Sequence, residues 1–200
     1  MAKKRHNRDD VVREALAMLD ESGMETVTLR GVAKRMGLHL NSVSFQVTSK
    51  ARLFELMAEV IFGELSLDDL PPEPRERIAE VSRRLRLAML SHRDGGRVVG
   101  GTDTADVNAR AYANVTISAF LEAGVSDIVA ARASVALHCL IIGLVEEEQA
   151  DRLNPRAQVS PDDHPGLAHI GRLLDEDSFA ERTEFGIEAL INQAMLTAAR

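Results

Sequence analysis

Apolar residues recur every three to four positions along most of the chain, which is the spacing of amphipathic helices. In the first such segment, residues 8–22, the apolar positions share one face and stop before Gly23, which favours a helix end. Asn7 or Asp9 is the expected N-cap, because either side chain can accept hydrogen bonds from the first helical amides. The chain is therefore predicted to begin with an amphipathic helix.

Three shorter helices are predicted before residue 65. Thr28 is expected to cap a second helix that ends at Gly37, a third covers about 40–46, and Ser49 is expected to cap a fourth. Two short helices joined at a glycine often place the second one in a DNA groove. The stretch GLHLNSVSFQ, residues 37–46, is thus a candidate recognition helix, although it contains no Arg or Lys.

The segment LDDLPPEP, residues 67–74, interrupts the helical pattern because proline cannot occupy a helix interior. The helices predicted beyond it cover about 75–91, 104–123, 126–149, 166–175 and 178 to the C-terminus. No strand pattern and no internal repeat occur in the sequence. The predicted fold class is all-α, with about nine to ten helices in a helix-turn-helix head, 1–65, and a larger helical body, 75–200.

The helix predicted at 126–149 is apolar on more than one face, which is typical of a helix that is covered on several sides. It is either the centre of the body or a surface that meets a second chain, and we expect both. Within it, His138 is more typical of a core histidine than of a ligand contact, and Cys139 is expected to be buried as a small apolar side chain.

Charge is distributed unevenly along the chain, whose net charge is −7. Residues 1–50 carry nine Lys/Arg and six Asp/Glu, a net +3, whereas the remainder carries 15 and 25, a net −10. This asymmetry fits a chain of which only the head meets phosphate. The single cysteine excludes an internal disulfide and fits the cytoplasm, and the longest apolar run, Leu137–Val145, is too short to span a bilayer.

The segment VTLRGVAKRMGLHLNSVSFQVTSKARLFELMAE resembles the DNA-binding head of the TetR family of repressors. Thr28, Ala33, Gly37, Lys50 and Leu53 match the pattern of that head. In the body, LSHRDGGRVVGGT, EAGVS, IIGLVEEEQ and FGIEALI are similar to the tetracycline-repressor branch. The resemblance extends over nearly the whole chain.

This resemblance implies a homodimeric repressor whose two heads bind an inverted-repeat operator in double-stranded DNA. A small-molecule effector would enter the body and release the DNA, and the 126–149 and C-terminal helices would form the dimer. The positions that the resemblance assigns to DNA contact are Thr28, Arg30, Leu40, Asn41, Ser42, Ser44, Gln46 and Lys50. Ser44 and Gln46 stand where the family has tyrosine and histidine, so two phosphate contacts are weakened.

Periodicity and resemblance disagree at Leu40. Its spacing from Val43 and Val47 favours a buried core residue, whereas the resemblance favours an exposed leucine that contacts a thymine methyl group. Asn41 is the best candidate for reading a base, since a carboxamide can pair with adenine through two hydrogen bonds. Arg30 is either a DNA contact or a solvated helix charge.

The positions that hold a magnesium–tetracycline chelate in that branch are mostly apolar here. The metal-ligating histidine corresponds to Val99, the asparagine and glutamine to Val81 and Val115, and the second histidine to Leu65 or Ser66. Valine offers no ligand to a divalent metal, so the expected effector is hydrophobic, and neither a metal nor a cofactor is predicted. The predicted effector site comprises Leu65, Val81, Leu85, Met89, Val99, Thr102, Val115, His138 and Glu147. The alternative is that these residues simply fill the core.

The two alternatives to a repressor are an enzyme and a helical ligand-binding protein. An enzyme is disfavoured because the six histidines show no metal-ligand spacing, the one cysteine has no evident base partner and no phosphate-binding loop occurs. A helical dimeric ligand-binding protein with weak or lost DNA binding remains the alternative, given the serine at position 44.

Overall fold

A computed structural model describes residues 6–102, 106–151 and 162–198, and these form helices joined by short turns, with no strand among them. The head contains α1 (Arg8–Ser22), a 3-10 turn (Met24–Thr26), α2 (Leu29–Arg35), α3 (Leu40–Val47) and α4 (Lys50–Glu64). The body contains α5 (Pro74–Leu90), α6 (Gly95–Gly100), α7 (Val107–Glu122), α8 (Asp127–Asp151), α9 (Pro165–Glu176) and α10 (Phe179–Ala198). The predicted all-α fold is confirmed.

The predicted helix caps are confirmed at most positions. Asn7, and not Asp9, caps α1, and it forms a reciprocal capping box with Asp10. The hydroxyls of Thr28 and Ser49 accept hydrogen bonds from the amides three residues further on. The predicted end of the second helix at Gly37 is two residues late, since α2 ends at Arg35 and Gly37 lies in the following turn with φ +65°.

The helix α4 belongs to the cores of both the head and the body. It packs with α1 and α3 of the head and with α5, α6 and α7 of the body. Leu53 and Met57 are fully buried, and so is Ile61 further along the helix. The head therefore rests on the body through one continuous apolar core, while the division at 65–75 stays a prediction.

Close approach of α6 to its neighbours depends on glycine. A Cβ atom on Gly95 would lie 2.1 Å from the carbonyl oxygen of Met89, and one on Gly100 would lie 2.7 Å from the Ile142 side chain. Both distances are far below ordinary carbon contacts. The glycine-rich stretch between the helices predicted at 75–91 and 104–123 is thus a six-residue helix packed tightly against α5 and α8.

Gln149 joins the ends of three helices. Its Nε2 donates hydrogen bonds to the carbonyl oxygens of Met89 at 3.3 Å and His92 at 2.7 Å, and its Oε1 accepts one from the amide of Gly96 at 3.1 Å. One side chain of α8 thereby supplies the acceptor for an amide at the start of α6 and a second donor to two carbonyls that already accept from backbone amides.

The helices α8 and α10 expose a large apolar surface. Phe185 on α10 is 79% exposed, Val135 on α8 is 64% exposed, and Ile128 and Leu196 are also exposed. Cys139 is exposed, so its predicted burial was wrong. The apolar character of α8 is spread almost evenly around its axis, and the sequence therefore does not indicate which of its faces is covered.

The same property gives α8 a length and composition that would allow it to cross a membrane. The core helix of a helical protein shares both. Here α8 packs against α5, α6, α7 and α10, and it carries the buried Glu148, which forms an ion pair with Arg86. These contacts are those of a helix inside a helical protein.

We predict that Gln149→Ala lowers the free energy of unfolding by about 1–3 kcal/mol, because the Gly96 amide loses its acceptor and two carbonyls each lose one of their donors. Urea denaturation at a fixed protein concentration measures the change. Asn114→Ala, which removes an exposed amide on α7, is the matched control and should change the free energy by less than about 0.5 kcal/mol. Equal effects of the two substitutions would contradict the role assigned to Gln149.

Candidate functional site

The turn and α3 form a rigid unit on the surface of the head. Gly37 adopts the left-handed conformation at the bend, and the amide of Leu38 donates to the carbonyl of Ala33 at 2.8 Å. Val43 and Val47 are fully buried, as both the periodicity and the resemblance require. The burial of this face points the opposite face of α3 toward solvent.

The exposed face of α3 carries the residues predicted to contact bases. Asn41 and Ser42 are exposed, and Leu40 is 38% exposed, so the buried alternative for Leu40 is wrong. As the first residue of α3, Leu40 lies at the edge of the packed face, which periodicity alone does not reveal. Ser44 and Gln46 are half-buried at the sides of the helix.

Cationic and capping residues flank this face. Arg30 near the start of α2 and Lys50 at the start of α4 are exposed, and the Lys50 ammonium lies 5.4 Å from the ring centroid of Phe54. The Thr28 hydroxyl accepts a hydrogen bond from the Gly31 amide at 3.0 Å and so acts as a cap, although its side chain is also exposed. The predicted set is therefore brought together around α3.

Sequence reasoning missed Phe45. Its ring is 84% exposed on α3, between the half-buried Ser44 and Gln46. An aromatic ring this exposed on a short helix is unusual, since large apolar side chains are normally covered. The sequence does contain one indication of this exposure: Phe45 lies between Val43 and Val47 in the helix, and this spacing places it off the packed face.

One cation of α2, Arg35, is paired with acidic residues of α1 and not directed toward the exposed face of α3. Arg35 forms ion pairs with Glu14 and Glu21 of α1. The hydrogen bonds that its guanidinium donates to these carboxylates raise the pKa of Arg35, and the bond to Glu21 lowers the pKa of that carboxyl group. The pairs join α2 to α1 and help to fix the angle at which α3 is presented.

Polar contacts connect the head to the start of α6. His92 lies between two carboxylates, Asp20 of α1 at 3.1 Å and Glu64 of α4 at 3.0 Å. The amide of Met24 donates to Asp94 at 2.8 Å, and Arg97 pairs with Glu25 at 2.9 Å. Displacement of α6 would therefore be transmitted to α1 and to the turn that precedes α2.

A second connection joins α4 to the start of α7. The Glu59 carboxylate accepts hydrogen bonds from the amides of Asn108 at 2.6 Å and Ala109 at 3.2 Å, and Arg52 pairs with Asp106 at 2.8 Å. A carboxylate at the start of α7 satisfies amides that have no partner within the helix, and it complements the positive end of the helix dipole.

Most of the predicted effector residues lie in the core of the body. Those buried there together are Leu65, Val81, Leu85, Met89 and Val99. Val115 is half-buried against the same core, and the half-buried Thr102 donates its hydroxyl to the carbonyl of Val99 at 3.2 Å. Glu147 is exposed on α8 and therefore does not lie with the buried predicted residues.

His138 lies in an aromatic cluster with Phe62 of α4 and Tyr112 of α7. The ring centroids are 5.6 Å apart for Phe62 and Tyr112, 5.8 Å for Tyr112 and His138, and 6.4 Å for Phe62 and His138. Burial lowers the pKa of His138, which favours the neutral imidazole, and burial raises the pKa of Tyr112, which keeps the phenol neutral.

Three buried polar atoms in this region have no hydrogen-bond partner among the described residues: the Tyr112 hydroxyl, the His138 Nδ1 and the Ser134 hydroxyl. Sequence reasoning missed Tyr112 and Ser134. The spacing of Ser134 and His138, four residues apart in an apolar helix, was an available indication that both face the same way. Within the described ranges, no group of three or more His, Cys, Asp or Glu side chains is arranged to hold a metal ion.

An exposed helix-turn-helix unit on a helical body defines a helix-turn-helix regulator, and comparison with known proteins identifies its family. Residues 70–191 match the family model described as "Tetracyclin repressor-like, C-terminal domain". The chain is 27% identical over 193 residues to the tetracycline repressor protein class G of Vibrio anguillarum, with 92% of this chain and 91% of that protein covered. The chain therefore belongs to the TetR family of transcriptional regulators and is tetracycline-repressor-like.

Solved structures agree with this assignment. A possible TetR family transcriptional regulator from Streptomyces coelicolor A3(2) superposes with a TM-score of 0.86 at 30% identity, covering 97% of this chain and 100% of that chain. A tetracycline-repressor variant from Acinetobacter baumannii AYE, solved in complex with minocycline, gives a TM-score of 0.75 at 25% identity, with 94% and 96% covered. The architecture of an N-terminal helix-turn-helix unit followed by a helical domain is shared with these proteins.

We predict that Glu59→Ala destabilises the protein by about 1–2 kcal/mol, because two amides at the start of α7 lose their acceptor. Thermal unfolding followed by circular dichroism reports the change. The control is Glu55→Ala, which removes the Arg52 partner three residues away on the same helix and should cost less than about 0.5 kcal/mol. A loss no larger for Glu59→Ala than for the control would contradict the capping role.

Proposed function

We propose that this protein is a ligand-responsive transcriptional repressor that binds an inverted-repeat operator as a homodimer. The observation that carries the proposal is the exposed polar face of α3, which is anchored by Val43 and Val47 and flanked by Arg30 and Lys50. A helix held in this way can enter the major groove, and membership of the TetR family supports this use of it.

Sequence discrimination is proposed to come from the first turn of α3. Asn41 offers a carboxamide that can pair with adenine, and the exposed part of Leu40 can contact a thymine methyl group. Ser42 adds a hydroxyl, whereas Thr28, Ser44, Gln46 and Lys50 are assigned to the DNA backbone. The exposed ring of Phe45 extends this surface beyond the predicted residues. An operator different from that of tetracycline resistance is expected, because Leu40 and Asn41 present different groups to the bases.

Two substitutions separate base reading from phosphate binding. Asn41→Ala should relax the preference at one base pair of each half-site at a cost of about 1–3 kcal/mol, whereas Lys50→Ala should weaken all sequences alike and reduce the salt dependence. Fluorescence anisotropy with operator and single-base variants, titrated at several salt concentrations, measures both effects. A uniform loss of affinity in both variants would exclude Asn41 as a base reader.

The alternative, a dimeric ligand-binding protein with weak or lost DNA binding, is favoured by Ser44 and by the net charge of −10 outside residues 1–50. Mobility-shift experiments on the promoter beside the protein's own gene separate the two functions. A shifted fragment at low salt supports the repressor, and no shifted fragment there supports the alternative.

Dimer formation is proposed to cover the exposed apolar faces of α8 and α10. Phe185 and Val135 lie on these faces, and exposed apolar patches of this kind mark sites of association. The closed symmetry of a two-chain assembly would bring the same faces together from both chains and would set the distance between the two α3 helices.

We predict that Phe185→Glu converts the protein to a monomer and abolishes operator binding at micromolar concentrations, because a charge would be buried in an apolar interface. Sedimentation velocity gives the oligomeric state. Leu121→Glu, an exposed apolar residue on α7 and outside this surface, is the control that should leave the dimer intact. A monomeric wild type, or a dimeric Phe185→Glu variant, would refute this interface.

The effector is proposed to be a small hydrophobic molecule bound in the body. Val81, Val99 and Leu65 stand at the positions that the resemblance assigns to the polar edge and metal of a tetracycline chelate, and their buried side chains supply no metal ligand. A mostly apolar site with a few polar groups is the common form of a ligand site. A magnesium–tetracycline chelate is therefore not the expected effector.

Release from DNA requires that the effector bind one arrangement of the heads more tightly than the other. The proposed route consists of the contacts of His92 and Asp94 with the head and the contact of Glu59 on α4 with the start of α7. These contacts connect the ends of the body helices to α1, the 3-10 turn and α4. A thermal-shift screen of hydrophobic antibiotics and biosynthetic intermediates, followed by titration of each stabilising compound into the operator complex, tests this step.

A further inference from the structure

The interior of the body contains polar groups that the fold itself does not use. Tyr112 is only 4% exposed, yet its hydroxyl lacks a hydrogen-bond partner in the part of the chain that the structure describes. The nearby Thr116 hydroxyl donates to the backbone carbonyl of Tyr112 at 3.0 Å, so its own proton is already engaged. Thr116, a polar side chain close to the phenol, is thus oriented toward that carbonyl rather than into hydrogen-bond geometry with the Tyr112 hydroxyl.

The facing helix supplies two more groups of the same kind. His138 Nδ1 and the Ser134 hydroxyl are buried on α8 without partners among the described residues, and they lie four residues apart on one side of the helix. Nearly all buried polar atoms in folded proteins are paired, and each unpaired one costs about 1–3 kcal/mol. Three such atoms in one region between α7 and α8 therefore indicate a missing occupant.

The chemistry of these groups limits what the occupant can be. A phenol and a hydroxyl can each donate and accept, and a neutral imidazole presents either a donor or an acceptor at Nδ1. No fixed charge faces the occupant from this trio. The rings of Phe62, Tyr112 and His138, with centroids 5.6–6.4 Å apart, provide apolar and aromatic surface beside the polar atoms.

We infer that Tyr112, Ser134 and His138 form the polar end of the effector site and that the effector is an uncharged planar aromatic molecule bearing a hydroxyl or carbonyl oxygen. The oxygen pairs with the buried hydroxyls and the imidazole, while the ring packs against the aromatic cluster. The inference rests on the proposed effector-responsive function and specifies the class of its ligand.

The test compares 1-naphthol with naphthalene, which lacks only the hydroxyl. Binding to the full-length protein without DNA is followed by ligand fluorescence, which the protein disturbs little because it has no tryptophan and one tyrosine. Wild type should bind 1-naphthol about tenfold more tightly than naphthalene, since only the hydroxyl can satisfy the buried groups. In the double variant Tyr112→Phe/His138→Phe the preference should fall to about one, with naphthalene affinity unchanged within about twofold.

The stability of the ligand-free protein provides an independent measurement. Tyr112→Phe should leave the unfolding midpoint unchanged or raise it, because it removes a buried hydroxyl that has no partner. Ser82→Ala is the matched control, since the buried Ser82 hydroxyl donates to the Ile78 carbonyl at 2.7 Å and its loss should lower the midpoint while leaving the preference for 1-naphthol intact.

Three results would overturn the inference: no preference for 1-naphthol in wild type, a preference that persists in the double variant, or a destabilised Tyr112→Phe. The last two would show that the hydroxyl serves the fold or an internal water. Because these titrations contain no DNA, they are separate from the repressor proposal. A protein that shows the preference but never binds an operator would refute the repressor and retain the site.

Discussion

The arrangement of the whole molecule depends on how closely α6 approaches α5 and α8. Glycine at positions 95 and 100 leaves no side chain where the carbonyl of Met89 and the side chain of Ile142 come within contact distance. Gln149 then satisfies backbone groups of both neighbouring segments with three hydrogen bonds. Any larger residue at Gly95 would displace α6, and with it every contact that α6 and the turn before it make with the head.

The positions of α6 and α7 affect the proposed DNA-binding surface through two sets of contacts. One passes from the turn before α6, through His92 and Asp94, to α1 and the 3-10 turn, while the other passes from α7 through Glu59 to α4. A rearrangement in the body that moves either route tilts α3 relative to its partner in the proposed dimer. Shifting such an equilibrium from 1:99 to 99:1 requires a difference in effector affinity of about 10⁴-fold between the two arrangements. Several contacts that change together can supply a difference of this size.

The sequence was sufficient to predict features that depend on local chemistry. Caps at Thr28 and Ser49 follow from side chains that can accept from nearby amides, and the burial of Val43 and Val47 follows from spacing. Leu40 was ambiguous, because a residue in the first turn of a short helix lies at the margin of any periodic face. Whether Leu40 is buried or exposed depends on how α3 packs against the rest of the head, which is a tertiary property.

Other features depend on packing between distant segments, and the sequence does not reveal them. Cys139 lies in a helix whose apolar residues surround its axis, so composition favoured burial although the side chain is exposed. The contact of Tyr112 with His138 joins two helices that are far apart in sequence, and the lack of hydrogen-bond partners appears only once all neighbours are in place. The close approach of α6 was likewise hidden, since glycines are as common in turns as in tight helix contacts.

The helix α8 brings the two proposed functions of the body to neighbouring faces of one helix. His138 faces Tyr112 and Phe62, whereas the adjacent Cys139 and the nearby Val135 face outward on the surface assigned to the partner chain. The buried ion pair of Glu148 with Arg86 contributes little net stability, because two charges lose their hydration, but it opposes rotation and sliding of α8 against α5. A helix restrained in this way moves as a unit, so displacement of His138 at the proposed effector site would also displace the proposed dimer surface beside it. Coupling between the proposed effector site and the proposed dimer surface therefore requires only a rigid helix that is apolar on nearly every side, and no flexible linker.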